Sequence, residues 1–205
     1  MKAVNTTTHQ RQVGAVILAA GSSQRAGDIN KLLVPYGDNA MVAHIAQTVA
    51  QSEVSQVIAV TGHEQAQVSK ALSLTPAICH HNKAYSQGMA GSVVTGVSKL
   101  NAVDGVLICL GDMPHITTEL INQLIDAFRN TRDKSIFIPV KQGRRGNPVL
   151  FSKLYFDRLL SLQGDMGARK LVQDNPDEVF ELAVEDDGVL IDYDTPQDLA
   201  TLPAL

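Results

Sequence analysis

Short apolar runs alternate with amphipathic segments along most of the chain. The runs are rich in β-branched residues, which predicts strands. In order, they read VGAVILAA, QVIAVTG, PAICHHN, GVLICLGD, SIFIPV, NPVLF and VFELAV. Two of the intervals between or after these runs carry apolar residues at helical spacing, namely Met89, Val93, Val97 and Leu100, and then Leu120, Ile121, Leu124, Ile125 and Phe128. This alternation predicts an α/β protein with a parallel sheet and crossover helices.

The organisation of the chain favours a single domain over residues 13–205. The sequence contains no internal repeat, no low-complexity tract and no linker rich in Pro, Gly or Ser. Residues 1–12, MKAVNTTTHQRQ, have no apolar core, so we expect a flexible N-terminal tail rather than a signal peptide. Residues from about 141 to 174 are less regular, which indicates an element on the substrate side of the domain.

Composition and charge narrow the classes of function. With 205 residues, 44% of them hydrophobic, the chain can bury a full core. A net charge of −4 argues against a nucleic-acid partner, because proteins that bind the phosphate backbone usually carry a basic excess. No run approaches the roughly 20 apolar residues that span a bilayer, so we expect no membrane partner. Cys79 and Cys109 lie in apolar runs, which favours buried thiols in a reduced, cytoplasmic protein.

The segment after the first strand, GSSQRAGDINK from Gly21 to Lys31, combines small residues with cations. Backbone N–H groups can approach an anion closely where side chains are small, and Arg25 and Lys31 supply the countercharge. The spacing of the glycines matches neither a dinucleotide-binding fingerprint nor a P-loop. The segment therefore predicts a phosphate-binding loop of another kind. The alternative is a flexible surface loop with solvated cations.

Acidic residues follow two of the later apolar segments. Asp112 ends the run GVLICLGD and is a candidate ligand for a hard cation, with a turn or helix-capping role as the alternative. In LIDYDTPQDLA, Asp192 and Asp194 stand at a predicted strand end, where alternation sends both side chains to the same side. The capped start of a short helix follows, at Thr195, Pro196 and Asp198.

Carboxylates together with a basic phosphate loop favour a nucleoside triphosphate that binds with a divalent cation. Mg²⁺ takes one or two carboxylates and completes its shell with phosphate and water oxygens, and Mn²⁺ accepts the same ligands. Two histidine motifs do not suggest a metal site. HEQAQ at His63 lacks the second histidine of a zinc-binding helix, and His80 and His81 point to opposite faces of a strand.

The charged motifs carry a resemblance that runs from about Val13 to Leu199. LAAGSSQRAG with the following lysine resembles the L-A-[AG]-G-x-S-x-R-M-G-x-x-K signature of the MobA-like nucleotidyltransferases, and CLGDMP and DYDTPQDL resemble the two metal-binding segments of that family. Within the family, GRRGNPVLF and GDMGARKL resemble the substrate-side motifs of molybdenum cofactor cytidylyltransferases. Three positions depart from these patterns: Ala26 replaces a methionine, Lys31 lies one residue further from Gly27, and Asn147 replaces a histidine.

The resemblance implies a three-layer, Rossmann-like nucleotide-diphospho-sugar transferase fold, with a mostly parallel sheet and helices on both faces. It implies Mg²⁺, with Mn²⁺ as an alternative, on Asp112 and Asp194, and catalytic roles for Arg25, Lys31 and Asp112. The nucleotide-binding positions that it implies are Leu18, Ala19, Ala20, Gly21, Ser22, Ser23, Arg25, Lys31, Gly88, Met89, Ser92 and Gly111. In this family alanine at the position of Ala20 accompanies cytidylyl transfer, whereas glycine accompanies guanylyl transfer.

The activity implied by the resemblance is transfer of CMP from CTP to the terminal phosphate of a phosphorylated pterin, the molybdopterin cofactor, with release of pyrophosphate. Two segments are assigned to the acceptor and are expected to face each other, with Arg144, Arg145 and Asn147 in one and Asp165 and Arg169 in the other. A molybdoenzyme or its maturation factor is the expected protein partner. The alternatives are guanylyl transfer to the same cofactor, transfer to a sugar phosphate, and a non-catalytic protein that delivers the cofactor.

Overall fold

The structure is a computed structural model that describes residues 10–23, 29–165 and 167–202. Its strands are β1 (Val13–Ala19), β2 (Pro35–Tyr36), β3 (Asn39–Ala40), β4 (Gln56–Thr61), β5 (Ile78–His81), β6 (Gly105–Leu110), β7 (Ile136–Lys141), β8 (Arg144–Arg145), β9 (Val149–Ser152) and β10 (Val179–Ala183). Its α-helices are α1 (Met41–Ala50), α2 (Gln65–Leu72), α3 (Met89–Val97), α4 (Thr118–Asn130), α5 (Phe156–Leu160), α6 (Arg169–Asp174) and α7 (Pro196–Leu199).

Strand β1 is an inner strand of the main sheet, between β6 and β4. Its order within the described residues is β10-β7-β9-β6-β1-β4-β5, with β8 paired to β7, while β2 and β3 form a separate hairpin. Strand β1 runs parallel to both β4 and β6, and β9 runs antiparallel to β6 and β7. The mostly parallel sheet expected from the sequence is confirmed, with β8 and β9 as its antiparallel members.

Helices cover both faces of this sheet because side chains alternate along each strand. On β1, Val13, Ala15 and Ile17 pack in one apolar cluster with α1, α2 and α4. Val16 belongs to the other cluster, which contains buried residues of α3, α5 and α6. This arrangement confirms the three-layer architecture.

Each of the seven apolar runs contains a strand, and both helical patterns contain a helix. Helix α3 ends at Val97, so Leu100 packs beyond it. Met89, the first residue of α3, is 47% exposed, because this end of the helix faces a cavity instead of the core. Gly96 allows α3 to lie close to the sheet, since a Cβ there would be 2.3 Å from Cγ1 of Val16.

Arg11 and Gln12, the two residues before β1, contact the rest of the domain. The Arg11 guanidinium donates to the carbonyl of Phe128 at 2.7 Å and stacks over the phenyl ring. The backbone N–H of Gln12 donates to the Asp104 carboxylate at 2.8 Å. The domain therefore holds Arg11 and Gln12, whereas residues 1–9 lie outside the described part of the chain and the expected tail of residues 1–12 stays a prediction.

The segment that contains Asp192 and Asp194 is not a strand, and the expectation that it ends one was wrong. It follows a 3-10 turn, Asp187–Leu190, and pairs with no strand in the part of the chain that the structure describes. The N–H of Tyr193 donates to the carbonyl of Asp112, whereas the N–H of Asp194 is taken by the side chain of Asp198. The segment thus makes one backbone hydrogen bond to Asp112, whereas a paired strand would make several.

Residues 141–174 form part of the main sheet and of one helical layer. Strand β9 lies inside the main sheet between β6 and β7, and α5 and α6 pack on one face of that sheet. The division of the chain into a tail, one domain and a substrate-side element stays a prediction. Of the helices that the structure describes, none is both long and apolar enough to cross a bilayer.

Both cysteine thiols are free. Cys109 is buried, as expected, and burial raises the pKa of its thiol to about 12. Cys79 is half-buried, and desolvation raises its pKa although a hydrogen bond with Ser69 acts in the opposite direction. A raised pKa leaves little thiolate at neutral pH, which argues against a nucleophilic role for either residue.

Candidate active site

A cavity of about 680 Å³ lies beyond the carboxyl ends of β1 and β6. Ligands of open parallel sheets bind at this edge, and the volume is in the range of small-molecule sites. The residues that line it are Leu18, Ala20, Gly21, Ser22, Ser23, Lys31, Leu32, Tyr85, Ser86, Gly88, Met89, Ser92, Leu110, Asp112, Asp165, Asp192 and Asp194.

The ends of the central strands are tied together, which fixes the position of the first loop. The carbonyl of Leu18 accepts from the N–H of Gly111 at 3.0 Å, and the carbonyl of Ala20 accepts from the N–H of His63 at 3.2 Å. A Cβ on Gly111 would be 2.9 Å from the Leu18 carbonyl oxygen. Glycine therefore permits the close approach that brings Asp112 beside the loop.

Lys31 begins a 3-10 turn, Lys31–Leu33, whose start is held by three side chains. Asn30 caps the turn, its Oδ1 accepting from the N–H of Leu32 at 3.1 Å while its Nδ2 donates to Glu64 at 2.9 Å. Ser23 accepts from the N–H of Lys31 at 3.3 Å. The backbone below the lysine is thus fixed, and its long side chain reaches into the cavity from a defined point.

Three carboxylates meet at one end of the cavity. One oxygen each of Asp112, Asp192 and Asp194 lie within 4.8 Å of one another. The Nζ of Lys31 donates to Oδ2 of Asp112 at 2.5 Å and also to Oδ1 of Asp194. Such a set of oxygen donors suits Mg²⁺ or Mn²⁺, so the residues present fit the expected ion.

The charges of this cluster perturb one another. Burial alone would lower the pKa of Lys31, but the Asp112 and Asp194 carboxylates outweigh it and raise the pKa above its usual value. Desolvation, together with the neighbouring charges of Asp194 and Asp112, raises the pKa of Asp192. Lys31 therefore remains a cation at neutral pH and compensates part of the negative charge.

A capped turn and a tyrosine hold the second acidic segment in place. The carboxylate of Asp198 accepts from the N–H groups of Asp194 and Thr195, while Thr195 accepts from the N–H of Asp198, which completes a capping box. Hydrogen bonds from Thr195 and its neighbours lower the pKa of Asp198. Tyr193, between the two aspartates, bonds through its hydroxyl to Nε2 of His115 at 2.6 Å. The capping role predicted for Asp198 is confirmed.

The far side of the cavity is built by the start of α3 and the loop before it. Asn82, only 6% exposed, donates to the hydroxyl of Ser92 at 3.1 Å and accepts from the N–H of Ala84 at 3.0 Å. Gly88 has φ +115° and ψ 168°, a conformation that is essentially restricted to glycine. Its Cα lies so close to the next segment that a Cβ would be 2.5 Å from both Oδ1 of Asp165 and the carbonyl of Gly164.

Most of the residues assigned to nucleotide binding from the sequence line this cavity, namely Leu18, Ala20, Gly21, Ser22, Ser23, Lys31, Gly88, Met89 and Ser92. Ala19 and Gly111 are in the tied strand ends, where Ala19 is 1% exposed. Arg25 lies outside the described residues. The roles given to these residues stay predictions.

The residues assigned to the acceptor do not all gather at the cavity. Asp165 lines it, whereas Arg144 and Arg145 lie on exposed β8, where the Nε of Arg145 donates to Glu181 at 2.8 Å. Asn147 donates its N–H to the carbonyl of Val189. Between the described parts of the two segments, 144–147 and 164–169, there is no hydrogen bond or ion pair. The expectation that they face each other stays a prediction.

Sequence reasoning did not identify several residues that support the site. Asn30, Glu64 and Asn82 act through the backbone or through another side chain, and His115 acts through Tyr193. The one local signal was the asparagine directly before Lys31, a residue type that commonly caps turns. The other contacts join residues that are far apart along the chain.

Known proteins resemble this chain along most of its length. Residues 15–179 match the family described as MobA-like NTP transferase domain. The purine catabolism protein PucB of Bacillus subtilis is 29% identical over 198 residues, which cover 89% of this chain and 92% of PucB. The crystal structure of Rv0371c from Mycobacterium tuberculosis has a TM-score of 0.81 and 29% identity, covering 94% of this chain and 97% of Rv0371c. A structure of Rv0371c in complex with manganese has a TM-score of 0.75 and 26% identity, and the match covers 93% of this chain and 97% of Rv0371c. The chain thus belongs to the family of MobA-like NTP transferase domains and is a nucleotidyltransferase.

Proposed function

We propose that this nucleotidyltransferase moves CMP from CTP to the terminal phosphate of the molybdopterin or molybdenum cofactor and releases pyrophosphate. The observation that carries the proposal is the meeting of the small-residue loop, Lys31 and three carboxylates at one cavity. Ala20 lines the same cavity and supports the choice of cytosine over guanine, by its resemblance to the cytidylyl-transferring members of the family. The motifs GRRGNPVLF and GDMGARKL support a pterin acceptor in the same way.

CTP binds across the cavity in this proposal, with its triphosphate on the first loop. The backbone of Gly21, Ser22 and Ser23 approaches the phosphates, since the side chains there are small. Arg25 and Lys31 supply positive charge. The cytidine lies toward the start of α3, where Asn82 holds Ser92 and the loop that leads to Gly88.

Asp112 and Asp194 hold Mg²⁺ in this proposal, with Mn²⁺ as an alternative and Asp192 close enough to assist. The donor set supports this assignment, and so does the manganese complex of Rv0371c. When bound, the ion supplies Lewis-acid neutralisation of charge on the phosphates. Two contacts hold Asp112 against the second acidic segment. Its carbonyl accepts from the N–H of Tyr193, and His115, three residues further on, bonds to the hydroxyl of Tyr193.

The chemistry needs positioning and charge compensation more than a general base. A phosphomonoester carries about −1.5 to −2 charges near pH 7, so its oxygen can attack without first losing a proton. That oxygen forms a bond to the α-phosphorus of CTP, and the bond from this phosphorus to the bridging oxygen of the β-phosphate breaks. The electron pair leaves with pyrophosphate, whose growing charge Lys31 and Arg25 stabilise.

The acceptor approaches from the side of Asp165 in this proposal. Asp165 borders both the cavity and Gly88, and Arg169 begins the helix that follows. Arg144, Arg145 and Asn147 are kept as acceptor-binding residues on the resemblance alone. A molybdoenzyme or its maturation factor would then receive the cytidylylated product.

Pyrophosphate release measured for a matrix of nucleotides and acceptors tests the proposed function. The purified protein is supplied with Mg²⁺ and with CTP or GTP, each without acceptor, with molybdopterin and with a sugar 1-phosphate. We expect release above background only with CTP and molybdopterin together. Faster release with GTP would overturn the base assignment, and release with the sugar phosphate instead of molybdopterin would overturn the acceptor.

A further inference from the structure

Lys31 occupies the position between two carboxylates that are proposed to hold a metal ion. Its Nζ donates to Oδ2 of Asp112 at 2.5 Å and to Oδ1 of Asp194, and Asp192 adds a third carboxylate nearby. The side chains of Lys31, Asp112 and Asp194 are 12%, 16% and 18% exposed. Little solvent therefore screens the charges from one another.

We propose that Lys31 is an internal cation that competes with the divalent ion for Asp112 and Asp194, so that metal binding is weak until a nucleotide draws the lysine away. The inference rests on the proposed function, because it takes the metal ligands from it. A metal ion bound by the same two oxygens has to displace the ammonium from both hydrogen bonds. Two adjacent cations also repel each other, which disfavours a shared arrangement.

The lysine has another anionic partner available within the proposed site. Its side chain lines the cavity together with the loop Gly21–Ser23, where the triphosphate is proposed to bind. The stem of a lysine is flexible, and here its backbone is anchored by Asn30 and Ser23, so that the ammonium can move while the turn stays in place. Nucleotide and metal then favour each other's binding, and by linkage the factor is the same in both directions.

A titration with Mn²⁺ alone tests the competition without any transfer activity. Free Mn²⁺ is measured by electron paramagnetic resonance for the intact protein and for two neutral variants, Lys31→Met and Lys31→Gln. Couplings of this kind typically amount to 5–150-fold, so we expect both variants to bind Mn²⁺ at least about tenfold more tightly than the original protein. Two neutral side chains of different polarity keep the test informative if one variant does not fold, as judged by circular dichroism.

Two further variants separate charge from other effects of substitution. Lys31→Arg retains a cation on the same turn and should leave the Mn²⁺ affinity within about threefold of the original. Lys99→Met removes an exposed lysine away from the cavity and should leave it unchanged. A tightening in Lys31→Arg as large as in Lys31→Met would overturn the proposal, and so would unchanged affinity in both neutral variants.

Linkage supplies a second readout. The ratio of the CTP affinities measured with and without Mn²⁺ should be smaller in Lys31→Met than in the original protein, and an unchanged ratio would contradict the competition. If these tests fail while the original protein still releases pyrophosphate from CTP, the competition is wrong and the proposed function stands. The two failures are therefore distinguishable. If no variant binds Mn²⁺ at millimolar concentration, the metal ligands are wrong and the competition falls with them.

Discussion

Replacing Asp112 by asparagine is expected to lower turnover at least about a hundredfold, a loss of the size seen when one preorganised electrostatic contact is removed. Asparagine has the size of aspartate but lacks the negative charge that Lys31 contacts and that the proposed metal ion needs. The protein should still fold, because the carbonyl of residue 112, which accepts from Tyr193, belongs to the backbone. Pyrophosphate release at saturating CTP and Mg²⁺ measures the loss, with thermal unfolding as the check on folding.

A matched control removes a carboxylate far from the cavity. Asp133 is exposed in the turn between α4 and β7, and Asp133→Asn should keep full turnover. Near-normal turnover of Asp112→Asn at saturating Mg²⁺ would make Asp112 a turn residue, as the alternative interpretation of the sequence had it. The site would then need another metal ligand.

Gly88→Ala is expected to weaken CTP binding at least about tenfold, equivalent to about 1.4 kcal/mol, and to destabilise the fold by about 1–3 kcal/mol. The backbone at Gly88 has a conformation that L-residues rarely adopt, and a Cβ would collide with the carbonyl of Gly164. The loops before α3 and around Asp165 therefore have to separate, which displaces Met89 and Ser92 at the cavity. The affinity is obtained from the increase in the free energy of unfolding as the CTP concentration rises.

Gly143→Ala is the control that separates the effect of the Cβ collision at Gly88 from the effect of a positive φ. Gly143 has φ +76°, yet a Cβ there meets nothing within 4 Å. This variant should lose stability in the same range and keep its CTP affinity. If Gly88→Ala retained CTP affinity as well, the start of α3 would not belong to the nucleotide site.

The fold was largely predictable because its signals are local. A buried parallel strand such as β1 is a continuous apolar run, and the buried face of α4 repeats at helical spacing, so each can be recognised within one window of sequence. The capping box of Thr195 and Asp198 is equally local. By contrast, the expectation that Asp192 and Asp194 end a strand failed, because strand formation depends on a partner elsewhere in the chain.

The candidate site was predictable only in part for the same reason. The position of Asp112 follows from the rule that ligands bind beyond the carboxyl ends of parallel strands. The contact of Lys31 with Asp112 and Asp194 joins residues separated by 81 and 163 positions, and no sequence pattern encodes it. The pairing of Arg145 with Glu181 depends likewise on the placement of β10 beside β7.

The decisive measurement for CMP transfer to molybdopterin follows the α-phosphate of CTP. The protein is incubated with Mg²⁺, molybdopterin and CTP that is labelled at the α-phosphorus, and the products are separated and weighed by mass spectrometry. We expect the label in a molybdopterin product heavier by one CMP unit, with one pyrophosphate released for each molecule of product. Label that stays in CTP or appears only as free CMP, or an equivalent product formed faster from GTP, would contradict it.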